Sequence, residues 1–125
     1  MSGTFPSGWP CDCPPDSAED AAGKVFRIVK NDPPNAKDFE THHEAGKLLN
    51  APPCLRCGVS VFREVDDAVH QRALFPKLGN RIAAGTLQTT HGKAMLTEGK
   101  MPTHTTWWPA VEVDRCASFT VVVVL

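Results

Sequence analysis

Several familiar signals are missing from this chain of 125 residues, and each absence removes a class of function. The start, Met1-Ser2-Gly3-Thr4-Phe5-Pro6, has neither the basic region nor the apolar run of a secretory signal, so a cytosolic protein is expected. The longest uninterrupted aliphatic run, Val121 to Leu125, is far too short to span a bilayer, so no membrane partner is expected. Charge of one sign is lacking too. A formal net charge of -1 supplies no general pull towards phosphate backbones, which argues against nucleic acid as a partner. There is no Walker-type or dinucleotide glycine fingerprint, and Ser60 lacks the Gly-x-Ser-x-Gly elbow of a hydrolase nucleophile. Nothing repeats at a fixed period, which excludes a solenoid.

What is present is an ordinary globular composition with many turns. Hydrophobic residues make up 42% and charged residues 22%, while 11 Pro and 9 Gly break the chain into short elements and exclude a long helical bundle. One domain is expected, with residues 1–23 as a proline-rich arm and residues 24–125 as the body. Asp16 to Ala22 reads as one helical turn, capped by Asp16 or Ser17 and ended by Gly23. Lys24 to Lys30 reads as a strand in which Arg27 shares a face with Val25 and Val29. Thr41-His42-His43-Glu44 has the form of a capping box, with Gly46 finishing the helix, and His42 and His43 are expected as exposed or hydrogen-bonded first-turn residues. A second helix is expected from about Glu64 to Leu74, stopped by Pro76 and Gly79. Strands follow at Arg81–Leu87, Ala94–Thr97 and His104–Trp108, and a buried one at Ala117–Leu125. Strand, helix, strand, helix, then mostly strands make an α+β domain with a mixed or mainly antiparallel sheet.

Two constellations carry chemistry. Cys11-x-Cys13 and Cys54-x-x-Cys57 offer four sulfurs from distant parts of the chain, the number a tetrahedral zinc ion needs, and a structural zinc would tie the arm to the body. Five cysteines in a cytosolic chain point to thiols or metal ligands rather than disulfides. A redox dithiol at Cys54 and Cys57 is disfavoured, because such pairs open helices whereas this one leads into Gly58-Val59-Ser60-Val61-Phe62. The alternative for any of these cysteines is a small buried residue. The second constellation is Arg27, Ser60 and His104, each on an expected strand, with Trp107 and Trp108 following. An arginine fork for a phosphate or carboxylate, a histidine that moves a proton near neutrality and an indole stacking surface suit a nucleotide pocket. The competing reading has Arg27 answering an internal carboxylate such as Asp38, Ser60 as a satisfied strand hydroxyl and the tryptophans in the core.

The succession Phe26-Arg27-Ile28-Val29-Lys30-Asn31-Asp32-Pro33-Pro34, Asp38-Phe39-Glu40-Thr41, Cys57-Gly58-Val59-Ser60-Val61-Phe62, Asp67-Ala68 and His104-Thr105-Thr106-Trp107-Trp108-Pro109 resembles a group of small bacterial proteins with no assigned activity. A more distant likeness is to ADP-ribosyltransferase-like folds, in which an arginine or histidine on an early strand and a serine on a later one line an NAD pocket. Arg27 and Ser60 match those two positions; Glu112, beyond Trp108-Pro109, is in no recognisable motif for the catalytic glutamate. Two expectations therefore stand together: a zinc-stapled domain that presents its tryptophan-containing edge to a protein partner or a nucleotide-like ligand, and an NAD-using transferase-like enzyme built on Arg27, Ser60 and His104.

Overall fold

A computed structural model describes residues 4–10 and 12–125. Among them, one antiparallel sheet of seven strands carries three α-helices, the α+β arrangement expected from the element order. The strands are β1 (Glu19–Asp20), β2 (Gly23–Val29), β3 (Val59–Phe62), β4 (Arg81–Leu87), β5 (Gly92–Leu96), β6 (His104–Pro109) and β7 (Thr120–Val124). They lie in the order β1-β5-β6-β3-β2-β4-β7. The helices are α1 (His42–Ala45), α2 (Pro53–Arg56) and α3 (Val65–Leu74).

Local chemistry accounts for most boundaries. Thr41 caps α1 by accepting from the Glu44 N–H, Glu44 reaches back to the Thr41 N–H, and Gly46 closes the turn at φ 67°. α3 begins after Glu64, and Pro76 and Gly79 follow its end. Two segments differ from expectation. Asp16–Ala22 does not make a helical turn; Glu19 and Asp20 pair with Ala94 and Lys93 instead, and Lys93 Nζ sits 2.8 Å from Asp20 Oδ1. Pairing across seventy residues of chain outweighs a helix too short to be stable alone. The C-terminal strand is not buried either. β7 is a sheet edge: Val121 packs against the cluster of Val25 and Phe119 and, across a register shift at Ile82/Ala83, Val123 packs against that of Ile28 and Ile82, while Val122 and Val124 are exposed.

Alternation also divides the core. Val25, Val29, Val59, Val61, Trp107 and Phe119 fill one face. On the other face, α3 covers Ile28, Phe62 and Ile82 at one end. The N-terminal arm covers Trp108 with Trp9 and Ala18 at the opposite end. Ser60, Phe62, His104 and Thr106 belong to this second face, since Ser60 pairs with Thr106 and Phe62 with His104.

The sheet is not continuous at its centre. β2 is in register with β4 at seven positions but with β3 only at Phe26 and Phe62. Continued, that register would set Ile28 opposite Ser60; the strands part there instead, and both residues line a cleft. Gly58, just before β3, holds the other side of β3 against β6, because a side chain there would run into Thr106 Cγ2.

Candidate functional site

The opening between β2 and β3 is a cavity of about 390 Å³, and Arg27, Ser60 and His104 all stand on its wall. Arg27 spans the gap that the backbone leaves. Its Nε donates to the Asp38 carbonyl at 2.8 Å, its Nη1 donates to the Ser60 carbonyl at 2.7 Å, and its guanidinium carbon lies 5.4 Å from the Phe39 ring centre. A side chain thus replaces the strand partner that Ser60 lacks on this side. Asp38, expected as the counter-charge, contributes its carbonyl to Arg27. Its carboxylate holds the preceding loop, Oδ1 accepting from the Lys30 N–H at 2.8 Å and Oδ2 from Asn31 Nδ2 at 3.1 Å and the Asn35 N–H at 3.0 Å. Among the described residues no carboxylate oxygen lies within salt-bridge reach of the Arg27 guanidinium. Burial pushes the Arg27 pKa down to about 10, against the pull of the Asp38 charge and with a further push from Arg115. The group is still a cation at neutral pH, held among neutral partners.

Ser60 and His104 form the second part of the site. His104 Nε2 is 3.0 Å from Ser60 Oγ. Its Nδ1 is 2.8 Å from the Thr97 carbonyl oxygen and 3.0 Å from Thr97 Oγ1. A carbonyl only accepts, so Nδ1 carries the proton and Nε2 of the neutral ring accepts from the Ser60 hydroxyl. Thr97 Oγ1 meets Thr106 Oγ1 at 2.7 Å, which fixes the residue that orients the imidazole. Phe62 packs edge-on against the ring, with centroids 5.5 Å apart. The start of β6 is itself anchored, since Asp67 Oδ2 accepts from both the N–H and the hydroxyl of Thr103 at 3.0 and 2.5 Å. Hydroxyl, imidazole and carbonyl therefore stand in hydrogen-bonded sequence.

The cavity is electropositive. Lys30, Lys37 and Lys47 join Arg27 on its wall against Asp38 and Glu40. His42, at the start of α1, lines it too, and its pKa is lowered first by burial and then by repulsion from Arg27, Lys47 and Arg56. His42 is an exposed first-turn residue, as the sequence indicates, but its place on the cavity wall was not legible, nor were the roles of Thr97 and the three lysines. None of them belongs to a motif; the capping box did carry a signal, because it sets α1 and hence His42 at the mouth.

The tryptophans do not line this cavity. Trp107 and Trp108 are 1% and 0% exposed, in different core clusters on opposite faces of the sheet. Their indole N–H groups are spent on the carbonyls of His91 at 3.0 Å and Cys54 at 2.8 Å. Strand alternation sends consecutive residues to opposite faces, so two adjacent indoles cannot make one stacking surface. The expected tryptophan-containing edge is core instead. Glu112 is an exposed turn residue and is absent from the wall.

The thiols expected around zinc are arranged differently. Cys13 and Cys54 are joined in a disulfide, so neither sulfur is a thiolate ligand. Cys57 is a free, fully buried thiol whose pKa is raised by burial, and Cys11 lies outside the described residues. Among the described residues no three His, Cys, Asp or Glu side chains converge as a metal-binding group. The arm does meet the central knuckle, through a covalent bond. Among the described residues, likewise, no helix is long and apolar enough to cross a membrane.

No protein-family model, curated protein or solved structure matches the chain.

Proposed function

We propose that the cleft between β2 and β3 binds a small anionic, nucleotide-like ligand and that His104 acts there as general base towards Ser60. The observation that carries this reading is the 3.0 Å contact between His104 Nε2 and Ser60 Oγ, inside a cavity that also holds Arg27. In this mechanism the Ser60 proton passes to Nε2 as Oγ bonds to the electrophilic centre of the ligand; the bond from that centre to its leaving group breaks, the electron pair departs with the leaving group, and Nε2 then returns the proton to it. The Thr97 carbonyl, bonded to Nδ1, stabilises the imidazolium that forms. Arg27 supports the reading from the other wall. A cation held by two carbonyls and no carboxylate retains N–H groups for a phosphate or carboxylate, and a bound anion would offset the cost of burying it. NAD-dependent ADP-ribosyl transfer is a narrower form, favoured by Arg27 and Ser60 sharing one cleft. Glu40 is the glutamate on the wall to which it would assign the acid.

Calorimetric titration with AMP, ADP-ribose and NAD tests the reading. Binding that weakens as salt rises and disappears in Arg27→Ala is expected, with Ser60→Ala binding but not turning over whichever ligand the wild type converts. A folded wild-type chain that binds none of the three rejects the reading.

A further inference from the structure

Three sulfurs meet at the junction of the arm and the sheet, away from the cleft chemistry. The Cys13–Cys54 disulfide crosses 41 residues of sequence, and Cys57 lies in the same apolar cluster with Trp9, Ala18 and Trp108. Cys54 and Cys57 sit on one helical turn: α2 carries Cys54 in its first turn, Cys57 ends it, and the Cys57 N–H donates to the Cys54 carbonyl at 3.1 Å. The pair does lead into β3, as the sequence indicates, but its two cysteines share one helical turn before it. Residues three apart on a helical turn are neighbours, the spacing of Cys-x-x-Cys dithiols.

We propose that Cys13, Cys54 and Cys57 form a thiol–disulfide exchange site in which Cys57 displaces Cys13 from Cys54. The Cys57 sulfur forms a bond to Cys54 Sγ as its proton is transferred to the departing Cys13 sulfur. The Cys13–Cys54 bond breaks, its electron pair leaves on Cys13, and the half-exposed Cys13 takes up that proton. One disulfide is exchanged for another, so no oxidant or reductant is consumed. The exchange unlatches the arm at residue 13 while its β1 pairing with β5 and the bond from the Val111 N–H to the Thr4 carbonyl at 2.8 Å still hold it at either side. A low-molecular-weight thiol can enter at Cys13 or Cys54, which are half-buried, but not at Cys57, which is 0% exposed. Cys57 is thus the resolving thiol, protected from outside attack and one helical turn from the cysteine it would capture.

Disulfide mapping of the full chain decides the matter. The protein is equilibrated in mixtures of reduced and oxidised glutathione, quenched by alkylation and digested with trypsin. Arg56 lies between Cys54 and Cys57, so cleavage after it puts the two cysteines on separate peptides that stay joined only by their own disulfide. The expected result is that wild type yields both the Cys13–Cys54 and the Cys54–Cys57 linked pairs, that Cys13→Ser yields only the second, and that Cys57→Ser loses it. Wild-type protein showing only the Cys13–Cys54 pair at every mixture overturns the proposal whatever the variants do. So does stoichiometric zinc with these cysteines protected from alkylation and unlinked.

Discussion

His104 Nε2 and Ser60 Oγ lie 3.0 Å apart across two neighbouring antiparallel strands, although the residues are 44 positions apart in sequence. They are diagonal neighbours on one sheet face, Ser60 opposing Thr106 and His104 opposing Phe62. Both backbones belong to a rigid ladder, so the pair is held without closure of a loop.

The pair should act as a unit. Ser60→Ala and His104→Ala are each expected to lower turnover of the ligand the wild type converts by ~10²–10⁴-fold, with dissociation constants changed by no more than a few fold. The double variant should be no worse than the poorer single one. Steady-state kinetics beside calorimetry read this directly, and additive losses would mean that the two side chains work separately.

Arg27 is expected to govern affinity rather than rate. Arg27→Lys keeps the charge but cannot reach the Asp38 and Ser60 carbonyls together, which Nε and Nη1 now do at 2.8 and 2.7 Å. Losing a charge-assisted contact of ~1.5–3 kcal/mol corresponds to a ~10–100-fold weaker anion affinity. Calorimetry with AMP measures it. An unchanged dissociation constant would place the anion elsewhere.

How far the sequence foretold this site depends on the range of the interaction. The capping box of Thr41 and Glu44, the glycine at 46, and the strand limits at Arg81 and Leu87 are written within a few residues and were legible. Arg27, Ser60 and His104 stand out as polar residues on expected strands, Arg27 as a charge between two valines, but no local pattern says that they share a cleft. The parting of β2 and β3 was not legible, since Val25 to Val29 alternates the same way whether or not a partner lies beside it. Nor was the choice of disulfide. Five cysteines in a chain read as cytosolic point to thiols or metal ligands, and only the position of the arm places Cys13 at Cys54.

Gly58 is expected to be intolerant of any side chain. A Cβ there would overlap Thr106 Cγ2 and stand 3.3 Å from Trp108 Nε1, both held in the closely packed floor beneath β3. Overpacking of this kind costs ~1–3 kcal/mol, so Gly58→Ala should lower Tm by about 4–12 °C. Turnover should fall with it, because the displaced backbone carries Ser60 two residues on. Thermal unfolding and kinetics on the same preparation test the link.

Acid should loosen α1, whose first residue, His42, lines the cleft. Burial works to raise the Glu44 pKa, but hydrogen bonds from Arg115 and the Thr41 N–H, with the Arg115 charge, outweigh it and bring the carboxyl below its ordinary value. A depressed carboxylate stabilises the fold above its unfolded pKa, and that contribution is lost as pH falls through the lower folded value. Glu44 is 39% exposed, so the ion pair itself is worth only ~0.2–1 kcal/mol. Thr41→Ala removes the cap as well and should cost about 1 kcal/mol at neutral pH. Urea unfolding at a series of pH values should show the acid-dependent loss in wild type and a flatter profile in Glu44→Gln.

His42 offers a test of the cleft that needs no turnover. Burial, then the charges of Arg27, Lys47 and Arg56, hold its pKa below the usual histidine value of 6.5 in the free protein. As pH falls through 6.5 the unfolded chain takes up this proton before the folded one, so His42 withdraws stability over that interval. An anion in the cleft reverses the balance, because its charge opposes the three cations and favours the imidazolium. The His42 pKa followed by NMR should therefore rise when AMP is bound. By linkage, AMP should bind more tightly as pH is lowered from about 7.5 to about 5.5. The AMP phosphate itself changes charge over this interval, so the comparison is with His42→Gln: the variant should keep the ligand's own part of the pH dependence and lose the part that His42 carries. A His42 pKa that does not move on saturation with AMP would mean that the anion does not occupy the space these cations enclose.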